Sequence, residues 1–285
     1  MTESKGPEAG DAAVPGKKKR KSPLDRVRPY AMSVVVMAVV FGISAVIGAH
    51  VRAGKDDKVK EPSGAAGPAV VPTGPAAPTP STTDTPSGPK FDVPVRPSIP
   101  VTVTVFEDLR SPESKAFHDQ YGPVLTSLLT TGQVQIHYRL VTGSDAKYGG
   151  DGSAKAAAAA GCAQDQSRFT AFVDEVFKHQ PDPKTDALAS EKELRSLAKG
   201  AHKIKMPTFL PCIEQGDHLG WVKKSQTDFA AAGLGDVPVV EINNVPVKDV
   251  QGSLTPQKLR SMVMAEAKRV IKVQATPSPT NTMLG

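Results

Sequence analysis

Residues 31–49, AMSVVVMAVVFGISAVIGA, form an unbroken uncharged run that constrains everything after it. At 1.5 Å rise per residue, a helix over this run spans roughly 28 Å, close to the hydrocarbon thickness of a bilayer. Lys17, Lys18, Lys19, Arg20, Lys21, Arg26 and Arg28 precede it. Behind it, Arg52, Lys55, Lys58 and Lys60 are mixed with Asp56, Asp57 and Glu61. The flank denser in Lys and Arg stays in the cytoplasm, so the run predicts a single-pass anchor at 30–50, with the N-terminus inside and the remainder outside. Tyr30 at the entrance suits an interfacial aromatic. A cleaved signal peptide is the competing reading. Its apolar core is usually only about 7–15 residues, and no good Ala-x-Ala site follows here. On either reading the rest of the chain is exported.

The formal net charge of +6 raises the question of a nucleic-acid partner. Its distribution answers it. Residues 99–273 carry 21 Lys/Arg against 20 Asp/Glu, so the excess lies before residue 98. A nucleic-acid-binding fold places basic charge on its folded surface. No nucleic-acid partner is expected. Residues 1–29 read as a disordered basic tail. Residues 51–98 contain runs such as GPAVVPTGPAAPTPSTTDTPSGP, too poor in apolar surface to offset the entropy of ordering, and read as a disordered linker. Residues 274–285 read as a second disordered tail.

One domain is left, at 99–273. Residues 101–106, VTVTVF, alternate as a strand, and 112–130 follow with helical spacing of Phe117, Tyr121, Val124, Leu125 and Leu128. A second strand is expected at 133–140, then helices at 153–163 and 168–179. Ser190-x-x-Glu193 has the form of a capping box, opening a helix that Gly200 closes. A further helical stretch covers 209–232 with a break near Gly216. Residues 237–242 read as a strand, Asn243-Asn244 as a turn, Val245–Val247 as a returning strand, and Thr255-Pro256 opens a last helix. The order is β-α-β, a helical insertion, then β-β-α. The fold class is α/β, a thioredoxin-like plan with helices inserted in its middle.

The segment VFEDLRSPESKAF at 105–117 resembles the first strand and active-site helix of DsbA-like disulfide oxidoreductases, where F-E-D-F-x-C-P-x-C-x-x-F is typical. Three further stretches fall in the family's order. They are Ala160-Gly161-Cys162-Ala163, then Phe209-Leu210-Pro211-Cys212 with Trp221-Val222, and last Gly233-Leu234-Gly235-Asp236-Val237-Pro238-Val239. The resemblance covers roughly 99–272, and is closest to the membrane-anchored actinobacterial type.

The departure is chemical. Ser111-Pro112-Glu113-Ser114 stands where the family carries its cysteine pair. Disulfide exchange needs a thiolate and a resolving sulfur, and a serine hydroxyl supplies neither. The same four residues still start a helix well, with Ser111 as N-cap, Pro112 at the first position and Glu113 in the first turn. No catalytic residue is therefore assigned. A serine nucleophile needs a base in hydrogen-bond reach. His118, two turns along, is too far, which leaves hydrolase or glutathione chemistry a minor alternative.

Cys162 and Cys212 are the only cysteines. In an exported domain such a pair reads first as a disulfide, with a redox-active pair or two free thiols as rivals. The resemblance implies the same, since actinobacterial members carry a helix-to-helix disulfide similar in position. It also implies a cis bond at Val237-Pro238, in a loop whose main chain pairs with an extended substrate peptide. Asp236 and Val237 replace the family's usual Gly and Thr. Pro238 either retains peptide binding or simply maintains the fold. Glu107 and Asp108 resemble the family's acidic pair. His118, His137, His179, His202 and His218 show no metal-ligand spacing. Trp221 reads as a packing residue and the Ala154–Ala163 run as ordinary helix. No metal and no cofactor is called for. The expected function is a membrane-tethered, extracytoplasmic protein- or peptide-binding module without thiol chemistry. A redox enzyme using Cys162/Cys212 and a structural envelope domain without a ligand are the alternatives.

Overall fold

A computed structural model describes residues 58–67, 91, 93–94, 101–132 and 134–275. The expected membrane span at 30–50 and the tail expected at 1–29 lie outside them; of the tail expected at 274–285, residues 274 and 275 belong to the last helix and the rest lies outside. Among the described residues, no helix is long and apolar enough to cross a membrane.

Strand β1 (Val93–Pro94) is short, and β2 (Val101–Glu107) is the central strand. Helix α1 (Pro112–Thr130) leads to β3 (Val134–Leu140). The helical insertion comprises α2 (Gly143–Tyr148), α3 (Gly152–Gln164), α4 (Phe169–Lys178), two short 3-10 turns, α5 (Glu191–Gly200), α6 (Met206–Gln215) and α7 (Leu219–Ala231). Strands β4 (Val239–Ile242) and β5 (Val245–Pro246) and helix α8 (Pro256–Ala275) complete the order. The sheet runs β1-β3-β2-β4-β5. Strands β2 and β3 are parallel, with Val101 opposite Val134 and Glu107 opposite Leu140. The other pairs are antiparallel, β4 meeting β2 through Phe106 opposite Val239.

The strand read from VTVTVF is present, and every residue of β2 is buried. Helices cover a central strand on both faces, and Thr serves there because its hydroxyl can be satisfied: Gln135 Nε2 donates to Thr102 Oγ1 at 2.7 Å. The β4–β5 hairpin turns through Asn243 and Asn244, both at positive φ (50° and 62°), as a two-residue turn requires. Asn243 also secures the hairpin, its Oδ1 accepting from Thr102 N (2.9 Å) and its Nδ2 donating to Glu266 Oε1 (2.8 Å).

Two signals in the insertion act differently from their sequence reading. Ser190 occupies the N-cap of α5, but its side chain makes no capping hydrogen bond, so the capping box is not closed. Gly200 is the last residue of that helix and not beyond it; a Cβ there would come within 2.2 Å of the Glu175 carboxylate, which would have to move aside. Helix α3 is the interior helix of the insertion, packed by α4, α6 and α7. Its Ala-rich sequence is what permits their approach. A helix buried all round shows little amphipathic pattern, so the run reads as ordinary helix from sequence alone.

The linker reading does not hold at residues 58–67, which pack on the insertion. Pro62 is buried, Ser63 N donates to Asp165 Oδ1 (2.7 Å), and Gln164 Nε2 donates to Ser63 O (2.9 Å). Lys60 Nζ also pairs with Asp217 Oδ2 at 2.5 Å.

Candidate functional site

The turn Asp108-Leu109-Arg110 carries the chain from β2 into α1. Ser111 caps the helix, its Oγ accepting from Ser114 N (3.1 Å) and donating to Glu113 Oε2 (2.8 Å). Ser114 points inward, and its Oγ accepts from Asp108 N at 3.0 Å. Both hydroxyls are buried and engaged. The group in hydrogen-bond reach of Ser111 is Glu113. Its own backbone N–H and the Ser111 hydroxyl hold that carboxyl below its usual range, which makes it a weak base. His118 is turned elsewhere, Nε2 lying 3.0 Å from Asp174 Oδ1 and Nδ1 3.8 Å from Glu107 Oε1.

Beside the helix start opens a groove of about 790 Å³. Val141, Phe229, Leu234 and Val237 give it an apolar floor, while Ser111, Glu113, Lys147 and Asp236 bring polar groups to it. Lys147 Nζ and Glu113 Oε1 stand 3.7 Å apart. The Val237–Pro238 bond is cis, and the Val237 carbonyl accepts from Gln251 Nε2 at 3.3 Å. On the Pro238 side lies a smaller hollow of about 210 Å³, bordered by Phe117, Tyr121 and Leu254. Glu113 and Gln251 border both. No cysteine lines either.

Cys162 and Cys212 are joined by a disulfide, with Cα atoms 5.9 Å apart. It ties α3 to α6 inside the helical insertion. His218 lies beside it: the two sulfurs and a ring nitrogen of His218 fall within 4.8 Å of one another. Sequence spacing shows no metal-ligand set among the histidines, and the fold brings His218 to the two sulfurs. The signal was invisible in sequence because the three residues come from three elements. His179 pairs with Glu175 Oε1 (3.1 Å), His137 is buried in β3, and His202 is exposed. Trp221 is fully buried in the core.

Sequence reasoning missed the polar framework behind the helix start. Asp108, fully buried, accepts from Arg110 N (2.9 Å), Ser144 N (2.7 Å) and Ser153 Oγ (2.7 Å). Burial nonetheless raises its pKa. Arg110 is 1% exposed and donates from Nη1 to Asp145 Oδ1 (2.9 Å) and Gly149 O (2.7 Å), and from Nε to Pro183 O (2.7 Å). Glu107 is equally buried; desolvation raises its carboxyl, while His118, with Nδ1 3.8 Å from Oε1, acts to lower it. Acidic and basic residues crowded into Glu107-Asp108-Leu109-Arg110, in an otherwise buried turn, were the available signal.

Comparison with known proteins agrees with this architecture. The thioredoxin family profile matches residues 96–265, more than half of the chain. No relative is found among curated protein sequences. Oxidised BdbD from Bacillus subtilis is 23% identical, with a TM-score of 0.52, over 61% of this chain and 90% of its own. DsbA from Chlamydia trachomatis is 17% identical, with a TM-score of 0.51, over 71% of this chain and 100% of its own. Oxidised DsbA from Mycobacterium tuberculosis is 26% identical, with a TM-score of 0.49, over 60% and 83%. These likenesses concern the fold. The chain is a member of the thioredoxin family.

Proposed function

We propose that the domain binds an extended segment of an exported protein in the groove between Ser111 and Val237, without exchanging disulfides there. The observation that carries this reading is the groove's lining: a long apolar floor beside a cis-proline loop, with no sulfur in it. The main chain at 236–238 runs into β4, so an extended peptide laid alongside can pair with its backbone groups, which requires no particular side chain. Val141, Phe229, Leu234 and Val237 would take apolar side chains of the guest, and Lys147 and Glu113 its polar flanks. The same helix start that activates a thiol in a redox enzyme here holds two committed hydroxyls. Residues 30–50 would anchor the chain in the cell membrane with the domain outside the cytoplasm, where unfolded exported segments are met. Protease added outside intact cells should then reach the domain but not residues 1–29.

The test uses the full chain and a reduced, alkylated polypeptide as a sulfur-free extended guest. Binding should be saturable and weakened at least tenfold by Leu234→Asp with Val237→Asp, while insulin reduction stays at background. Binding indifferent to those substitutions, or insulin turnover by the unaltered chain, would overturn the reading.

A further inference from the structure

The corner that holds the disulfide is built from groups with metal-binding chemistry. Cys162 on α3, Cys212 on α6 and His218 at the start of α7 place two sulfurs and a ring nitrogen within 4.8 Å of one another. Cys162 is 2% exposed and His218 fully buried, whereas Cys212 is half-buried and within reach of solvent. Two sulfurs and an imidazole on separate, packed helices are a common donor set for zinc, and the disulfide is what keeps them from serving as one.

The surroundings suit a ligating histidine. His218 Nδ1 lies 2.7 Å from the Lys60 carbonyl oxygen, and Nε2 lies 2.8 Å from Asp165 Oδ2. Whichever nitrogen bound a metal, the other would keep an oxygen acceptor, the arrangement that fixes ring orientation in metal sites. Asp165 also accepts from Ser63 N (2.7 Å). Both outer contacts therefore involve the segment 58–67. At Gly161 a Cβ would come within 2.9 Å of the His218 ring, so the imidazole is wedged against α3 by the absence of a side chain.

We propose that reduction of Cys162–Cys212 converts this corner into a zinc site formed by Cys162, Cys212 and His218. A dithiol donor supplies two electrons and two protons. The Cys162–Cys212 S–S bond breaks, two thiols form, and the donor leaves as a disulfide. Zinc then displaces one proton from each thiol, together with any proton carried by the ligating ring nitrogen, to solvent and takes that nitrogen, with Asp165 or a water molecule completing a tetrahedron. The oxidised chain has no thiolates to offer and does not bind. The inference is independent of the groove, because none of these residues lines it.

The experiment titrates cobalt(II), and then zinc(II), into the full chain, oxidised or reduced by a phosphine under nitrogen, with near-UV circular dichroism recorded in the same cell. The reduced chain should bind one cobalt with the intense thiolate-to-cobalt absorption and the visible bands of a tetrahedral site, and one equivalent of zinc should remove them. The oxidised chain should show neither. Cys162→Ser should abolish the signal, and His218→Gln, which removes a ligand, should weaken binding by more than the roughly 10–100-fold that losing a ligand's hydrogen-bond partner costs. The proposal is overturned by a reduced chain that gives no such bands, by binding that His218→Gln leaves unchanged, or by a reduced chain that loses its near-UV signal and does not regain it with cobalt.

Discussion

Arg110 Nη1 lies 2.8 Å from Asp186 Oδ1, joining the turn before α1 to a loop of the helical insertion. The same nitrogen reaches Asp145, and the guanidinium stands 5.8 Å from the centre of the Tyr148 ring. The approach is tight enough that a Cβ at Gly150, itself at φ 88°, would fall 2.0 Å from Asp186 Oδ2.

Removing this cation leaves Asp145 and Asp186 facing one another with only backbone N–H groups of residues 151–154 to offset their charge. Arg110→Met should therefore destabilise the domain by about 3–5 kcal/mol, the range for breaking a buried pair from one side. Adding Asp186→Asn should recover part of that loss. Denaturant unfolding of the three chains decides it, and a single-variant loss below about 1 kcal/mol would contradict the assignment.

His118 gives the fold a proton-linked stability. Burial alone would lower its pKa, but the Asp174 and Glu107 carboxylates outweigh this and hold it at about 9, above its ordinary 6.5. The folded chain thus keeps a proton that the unfolded chain releases. Its contribution is complete below pH 6.5 and fades as pH rises through about 9. Glu107, raised by burial, acts in the same direction from its ordinary 4.5 upward. Stability should fall on the order of 1–2 kcal/mol between neutral pH and the alkaline limit, a figure reduced by the exposure of Asp174. In His118→Gln the alkaline decline should flatten, as read from unfolding midpoints across pH.

The disulfide closes a loop of 50 residues between α3 and α6. In the chain-entropy account a loop of that size stabilises by about 4 kcal/mol. Cys212→Ala should lower the unfolding free energy by about that amount. Reduction of the unaltered chain without metal should cost the same, and zinc should return part of it if the reduced corner binds the ion.

Restoring sulfur tests the helix start directly. Ser111→Cys with Ser114→Cys should give a chain that oxidises a dithiol peptide, while the unaltered chain does not. Glu113 places a carboxylate beside position 111 and opposes a thiolate there. Adding Glu113→Gln should lower the thiol pKa and increase the rate, measured by thiolate absorbance and by peptide turnover. Failure of the double-cysteine chain to turn over, with its near-UV spectrum intact, would show that dithiol oxidation here needs more than sulfur at positions 111 and 114.

Sequence pattern recovered the elements whose periodicity is one-sided or whose turns are chemically marked. Helix α1 was legible from Phe117, Tyr121, Leu125 and Leu128, and the β4–β5 hairpin from two asparagines at positive φ. The pairing of Cys162 with Cys212 was open to more than one reading until their helices were placed together. What stayed hidden depends on long-range packing. Thr102 and Thr104 look exposed until both faces of β2 are covered, and the six-residue α2 carries too few turns for a pattern. Arg110 and Asp186 are far apart in the chain, as are Cys212 and Asp165, so the clusters they join exist only in the fold. Residues 58–67 have a linker's composition, and order there comes from four hydrogen-bonding partners supplied by the insertion.

That docked segment changes where the domain begins. The family profile starts at residue 96, but the surface over His218, Asp165 and Asp217 is completed by residues from the far side of the Pro-rich stretch. A fragment trimmed to the family boundary would bare a buried imidazole and remove one partner each from Asp165 and Asp217. The fold's natural edge is therefore discontinuous in sequence, and truncations drawn from homology alone would be studying an incomplete protein.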